Sequence, residues 1–280
     1  MATRYGDIPE LIRASTVDEA AAELARLGED GEVIAGGTWV MLGPLYRRPT
    51  RMHYVAVGHL EELRHIDAGG GSIGAAATHT DLAALDGELA VLAQAARGTP
   101  TAIGNVATVA GNLCASPYPA ADLVPALLVL DATVEVAAGS ERSELPLSEF
   151  LAGERPQPGT LVTRCVTHAP TGSRSRYERL TVRRGGEEAV ASVALSVDFD
   201  GEVVASARVA FGSVEELSAR CPQAEQELTG KPLSEESAAA AGEAVAAQME
   251  ARDGLDAPGW YRLKVLPALV KRAARQLTGS

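Results

Sequence analysis

Apolar residues recur at helical spacing in STVDEAAAELARLGED, residues 15–30, where Ala20, Leu24 and Leu27 share one face. Thr16 and Glu19 stand at capping-box spacing, so a helix is predicted to start there and to end at Gly28 and Gly31. EVIAGG, 32–37, then changes to a continuous apolar run closed by two glycines, the pattern of a buried strand. The order is helix, strand, glycine turn. A G-x-G-x-x-G dinucleotide fold needs its glycines between a strand and the following helix. Neither AGGTWV nor TVAGNL matches that signature, and neither carries the lysine of a P-loop.

Further on, the pattern predicts strands at 53–57, 64–67 and 72–76, with a glycine turn at 69–71. A short helix from about 80, with Thr80 as its cap, and a helix at about 88–98 follow. GNVATVAGN, 104–112, mixes glycines with small and β-branched residues and reads as tight, irregular backbone. AADLVPALLVL reads as a short helix, ATVEVAA as a strand, LPLSEFLAG as a change of direction and TLVTRCVTH as a strand. APTGSRS, 169–175, gathers proline, glycine and three hydroxyl residues and marks a boundary. Beyond it SRYERLTV, AVASVALSVDF and EVVASARVAFG predict three strands, the last two joined by a hairpin turn at Asp200-Gly201. Helices are predicted at about 220–229, 234–251 and 258–277.

Composition narrows the function classes. The 46% apolar content supports a sizeable core, and at 4% aromatics Ala, Val and Leu must fill most of it. A net charge of −12 argues against nucleic acid or an anionic membrane as main partner, because both need a basic face. The longest apolar run, LVPALLVL at 123–130, contains Pro125 and is too short to cross a bilayer. MATRYGDIPELIRAST has no apolar signal core, so a cytoplasmic protein is expected. Cys114, Cys165 and Cys221 are far apart in sequence and form no C-x-x-C pair, which excludes a zinc ribbon or a disulfide framework. An iron–sulfur cluster needs four closely arranged thiolates, which the chain cannot supply alone. His53, His59, His65, His79 and His168 show no metal spacing. Arg262, Lys264, Lys271, Arg272 and Arg275 on the last helix read as a solvated cationic face, with contact to an acidic partner as the alternative.

The candidate chemistry lies in two glycine loops. A diphosphate can be held by backbone N–H groups where no Cβ stands in the way. Gly36-Gly37 gives that access, with Thr38 adding a hydroxyl, and Gly111-Asn112 gives a second approach with Thr108 nearby. Asp122 is placed to accept from ribose or ribityl hydroxyls.

VIAGGTWVML, LEELRHIDAGGGSIGAAATHTDLAAL, TAIGNVATVAGNLCASPYPAADLVPALLVLDATVEV and WYRLKVLPALVKRAARQL together resemble the FAD-binding (medium) subunit of the molybdenum hydroxylase family, as in carbon monoxide dehydrogenase and xanthine dehydrogenase. The resemblance covers nearly the whole chain. It implies an α+β protein with a two-subdomain FAD-binding fold of the vanillyl-alcohol oxidase type over residues 1–172, the subdomains at about 1–55 and 56–172. A C-terminal α+β domain with a three-stranded antiparallel sheet and helices would occupy 173–280. It implies FAD as cofactor, bound by Ala35, Gly36, Gly37, Thr38, Trp39 and Val40, by Thr108, Gly111 and Asn112, and by Asp122. His79 sits in ATHTDL, a loop that the family places near the cofactor, and Arg179 stands where the family often has lysine. Trp39 could pack on the isoalloxazine or the adenine. The chain departs from the family's T-I-G-G-N at Ala110. The implied function is a flavin-dependent oxidoreductase subunit without a catalytic side chain or metal of its own. It would relay electrons between an iron–sulfur small subunit and an acceptor, while a molybdopterin large subunit oxidises the substrate. A stand-alone FAD oxidoreductase acting on a small molecule, or a scaffold that has lost FAD, are the alternatives.

Overall fold

The computed structural model describes residues 8–45, 47, 51–183 and 188–279. The first seven residues, included in the reading of the chain start above, lie outside them. In chain order come β1 (Glu10–Arg13), α1 (Val17–Leu27), β2 (Gly31–Ile34), β3 (His53–Ala56), β4 (Ile66–Asp67), β5 (Ser72–Gly74) and α2 (His79–Leu82). Next are α3 (Ala90–Ala96), α4 (Thr101–Gly104), α5 (Val109–Cys114), α6 (Leu123–Leu128), β6 (Thr133–Ala138), β7 (Glu141–Pro146), α7 (Leu147–Ala152) and β8 (Leu161–Val166). The chain closes with β9 (Arg174–Thr181), β10 (Ala189–Asp200), β11 (Val203–Gly212), β12 (Ala219–Arg220), α8 (Pro222–Leu228), α9 (Glu235–Ala246) and α10 (Gly259–Thr278). Among the described residues no helix is long and apolar enough to cross a membrane.

Two compact units interleave along the chain. One takes the described residues up to His79, with Ala102–Ala115 and Thr133–Val166; the other takes Thr80–Thr101, Ser116–Ala132 and Thr167 onward. In the first, a parallel sheet of order β1-β3-β2 pairs Glu10 with His53 and Gly31 with His53. A five-stranded antiparallel sheet has the order β4-β5-β8-β6-β7. Thr16 caps α1 by accepting from the Glu19 N–H at 3.1 Å, while the Glu19 carboxylate accepts from the Ser15 N–H at 2.6 Å. The buried face of α1 carries Ala20, Ala21 and Leu24.

The second unit is built on an antiparallel sheet of order β12-β11-β10-β9. Strand β10 is central and buried on both faces, which explains its nearly unbroken run of small apolar residues. Ala191, Val193, Leu195 and Val197 point alternately to one face, where Leu228, Val245, Leu266, Leu269 and Val270 of α8, α9 and α10 cover them. Gly242 of α9 packs against Pro267 of α10, where a Cβ would meet backbone.

Three readings are corrected. The C-terminal sheet has four strands because the two-residue β12 adds to β11. Residues 109–114 form a helix instead of irregular backbone, since Thr108 caps them through the Gly111 N–H at 3.2 Å. LPLSEFLAG contains helix α7, preceded by the edge strand β7, whose ERSELP sequence lacks apolar alternation because side chains on both of its faces are largely exposed.

Candidate functional site

Strand β2 ends at Ile34, whose carbonyl accepts from the Val57 N–H at 3.0 Å, and the chain turns at the carboxyl end of the parallel sheet. Gly37 adopts φ +72, a left-handed conformation that glycine takes without steric cost. Its carbonyl accepts from the Met41 N–H at 2.9 Å, starting the tight turn Val40–Leu42. A Cβ on Gly37 would meet nothing closer than Met41 Cγ at 3.6 Å, so conformation, not space, requires this glycine. Among the described residues, no backbone carbonyl accepts from the N–H of Gly36, Gly37 or Thr38.

Gly36 has a different reason. A Cβ there would stand 2.5 Å from the carbonyl carbon of Val106 and nearer still to its oxygen, with Ala107 N at 3.2 Å. The segment lying over the first glycine is the chain itself. Val106 and Ala107 lead into Thr108, so the two glycine loops meet directly inside one unit. The second loop is fixed from behind. Thr78 bridges Thr108, and the His79 N–H donates to the Ala107 carbonyl at 3.0 Å. Val109 and Ala110 donate to the carbonyls of Ala77 and Ala75 at 3.0 and 2.9 Å. Gly111 donates to Thr108 Oγ1, and Asn112 to the Thr108 carbonyl at 2.9 Å. The amides of residues 109–112 are therefore engaged within the protein, and a Cβ on Gly111 would crowd the capping hydroxyl, Thr108 Oγ1, at 2.8 Å. Ala110 sits in this first helical turn, where a methyl is accommodated.

Ala35, Trp39 and Val40 are half-buried beside the glycines, as is Asn112 at the second loop. His79 is buried, and burial alone lowers its pKa to about 4, so its ring is neutral at physiological pH.

Asp122 and Arg179 belong to the second unit. Asp122 Oδ1 accepts from the Tyr177 hydroxyl at 2.5 Å, and Oδ2 accepts from Arg179 Nη1 at 2.6 Å. Accepting on both oxygens is the behaviour of a carboxylate. Burial raises its pKa, while Arg179 and the Tyr177 hydroxyl oppose the rise. Burial and the Asp122 charge push the Tyr177 phenol well up, so it stays a donor. Arg179 Nη1 also donates to the Gly98 carbonyl at 2.9 Å, and a Cβ on Gly98 would meet the guanidinium and its Cδ at 3.1 Å. Tyr177 and Gly98 escaped the sequence reading of the site. The only cue for Tyr177 was its place in the Tyr-x-Arg stretch, and for Gly98 there was none.

Among the described residues, the first unit therefore presents three successive amides without a backbone acceptor, and the Thr38 hydroxyl, on a turn with a left-handed glycine. Successive backbone N–H groups of this kind can hold an anionic diphosphate without a cationic side chain. The donor set fits a dinucleotide cofactor.

Known proteins resemble the chain over nearly its full length. The family described as "FAD binding domain in molybdopterin dehydrogenase" matches residues 5–166, and "CO dehydrogenase flavoprotein C-terminal domain" matches 176–277. The glyceraldehyde dehydrogenase medium chain of Sulfolobus acidocaldarius is 25% identical, with 95% of this chain and 97% of that one covered. The carbon monoxide dehydrogenase medium chain of Hydrogenophaga pseudoflava is 27% identical over 92% and 93%. A chain of the Cu,Mo-CO dehydrogenase in its cyanide-inactivated form superposes with a TM-score of 0.88 at 24% identity, covering 97% of this chain and 99% of that chain, which speaks to fold. A chain of the H. pseudoflava enzyme gives 0.87 at 25% identity, with 97% of each chain covered. Matched over more than half its length, this chain belongs to the FAD-binding subunits of the molybdenum hydroxylase-type dehydrogenases and is a flavin-dependent oxidoreductase subunit.

Proposed function

We propose that the chain relays electrons between an iron–sulfur small subunit and an acceptor (NAD, a quinone or oxygen), in a complex whose molybdopterin large subunit oxidises the substrate. The observation that carries the reading is the turn at 36–38, whose amides have no backbone acceptor among the described residues while those of 109–112 are engaged. The cysteine count adds support: three thiols are one short of the four that an iron–sulfur cluster needs, so in this reading the cluster is a partner's. The designation "medium chain" of two relatives supports assembly with other chains.

Bound FAD supplies the redox chemistry, and no side chain has to act as acid or base. Gly36, Gly37 and Thr38 receive the diphosphate, with Ala35, Trp39 and Val40 shaping the turn. Thr108 and Gly111 hold the second loop in register, and Asn112 offers its side chain. His79 keeps that loop neutral. Asp122 contributes by holding Tyr177 and Arg179 in place. We set the boundary between the FAD-binding region, 1–172, and the C-terminal domain, 173–280, between the two matched stretches.

The test is the visible spectrum of the purified chain, before and after added FAD, then anaerobic mixing with NADH and with a reduced iron–sulfur partner. Bound flavin reduced by the partner is expected. A chain that stays colourless with FAD present, or a flavin reduced only by a small organic substrate, would overturn the relay.

A further inference from the structure

Helix α10 is 20 residues long, about 30 Å, and contains no aspartate or glutamate. Its buried face carries Arg262, Leu266, Leu269, Val270, Ala273 and Ala274. The opposite face, by helical spacing, presents Trp260, Lys264, Lys271 and Arg275, flanked by Tyr261 and Arg272. Trp260 is 65% exposed, with the Tyr261 ring edge-on at 5.7 Å and the Lys264 ammonium 5.8 Å from its centroid. The side chains of Arg272 and Arg275 are half exposed.

Strand β9 extends this face. Arg174 donates to the Leu277 carbonyl at 3.4 Å, and Arg176 and Arg272 share Glu178 at 2.8 and 3.6 Å. Lys271 and Arg275 share Glu235 of α9. Among the described residues, Lys264 and these five cations thus have two carboxylates, Glu178 and Glu235, as ion-pair partners, in a chain whose net charge is −12. Exposed tryptophan and tyrosine next to arginine is the composition of an interface centre, because such side chains bury much area and keep a polar contact.

We infer that the outer face of α10, with β9 beside it, docks an acidic surface of a partner subunit. This rests on the multi-subunit reading above and adds where the partner sits. Charge decides the occupant. A second copy meeting this face about a twofold axis would set cation against cation. A nucleic acid or an anionic bilayer extends beyond this patch and would also meet the acidic remainder of the chain. An acidic patch confined to one protein surface can face the aromatic pair and the cations alone, and so meets neither obstacle.

The full chain is co-produced with the iron–sulfur and molybdopterin-type subunits of its own genome, and assembly is read by gel filtration and by titration at rising salt. Lys264→Glu combined with Arg272→Ala, and separately Trp260→Ala, should weaken association roughly tenfold or more. Wild-type association should weaken with salt, since exposed charges are screened within about a Debye length. Unchanged melting temperature and flavin content would show that the variants are folded and the cofactor site intact. Variants that assemble with wild-type affinity and salt dependence, a wild-type chain that assembles with neither subunit, or a wild-type homodimer cross-linked through α10 would each overturn the inference. A chain that takes up no FAD but still docks through α10 would instead count against the relay.

Discussion

Gly36→Ala adds one methyl group where the chain has the least room. The new Cβ would stand 2.5 Å from the Val106 carbonyl carbon, against about 3.5–4.0 Å for an unstrained carbon contact. The loops must then part by about 1 Å or more. Both sides are backbone, so no rotamer can relieve the clash, and Ala107, next to Val106, accepts from the His79 N–H. Overpacking a rigid site costs about 1–3 kcal/mol, and this geometry belongs at the upper end. At roughly 2–4 °C per kcal/mol for a chain of this size, the melting midpoint of the FAD-free protein should fall by roughly 6–12 °C. Gly37→Ala makes the contrast. Its methyl has open contact at 3.6 Å, and its cost is the left-handed φ alone, about 1–2 kcal/mol. The assay is thermal unfolding of FAD-free protein, followed by FAD titration of each variant. Gly36→Ala should lose stability and FAD together, whereas Gly37→Ala should lose FAD affinity out of proportion to stability. A Gly36→Ala protein melting within about 1 °C of wild type would refute the idea that the Val106 carbonyl locks the two loops.

His79 predicts a pH dependence. Its folded pKa near 4 lies below the unfolded 6.5, so the unfolded chain takes up the proton first as pH falls. The stability tied to a neutral His79 is whole above pH 6.5 and is lost as pH falls through about 4, a change of roughly 3 kcal/mol. In urea melts His79→Gln should show a shallower loss between those limits, and an identical pH profile would refute it. Arg179→Ala leaves the buried Asp122 carboxylate without its cation and should cost about 3–5 kcal/mol by denaturant unfolding; a change under about 1 kcal/mol would contradict a working ion pair. Gly98→Ala should displace the same guanidinium and shift stability in the same direction, with less than additive effect when combined with Arg179→Ala. Cys165, fully buried and held as a thiol, should react with an aromatic disulfide reagent only as fast as the chain opens; rapid native-state labelling would disprove that.

The sequence pattern located the regular elements where their signals are local. The helix after Thr16 and the long strands on either side of Asp200-Gly201 carry cap, periodicity and turn within a few residues, and they formed close to where expected. Strand β1 went unread because four mostly exposed residues, joined in parallel to β3 forty residues away, have no pattern of their own. The two glycine loops show the same limit at the site. Both stood out as positions without side chains, and they do meet. Yet the cause at Gly36 is the Val106 carbonyl, a backbone group about seventy residues on that leaves no trace in the residue types around Gly36. At Gly37 the cause is φ +72, which any tight turn would produce. A glycine in a sequence reports that a Cβ is unwelcome, not what excludes it. Asp122 makes the point from the other side. A lone carboxylate before a short helix invites a ligand hydroxyl, but its oxygens face Tyr177 and Arg179, two residues more than fifty positions later. Their roles can be separated from a ligand contact by experiment. If Asp122 acts through these partners, Tyr177→Phe should disturb FAD affinity through the orientation of Asp122 and Arg179, and Asp122→Asn should add little further to that loss. Full additivity of the two changes in FAD titrations would instead make Asp122 an independent contact.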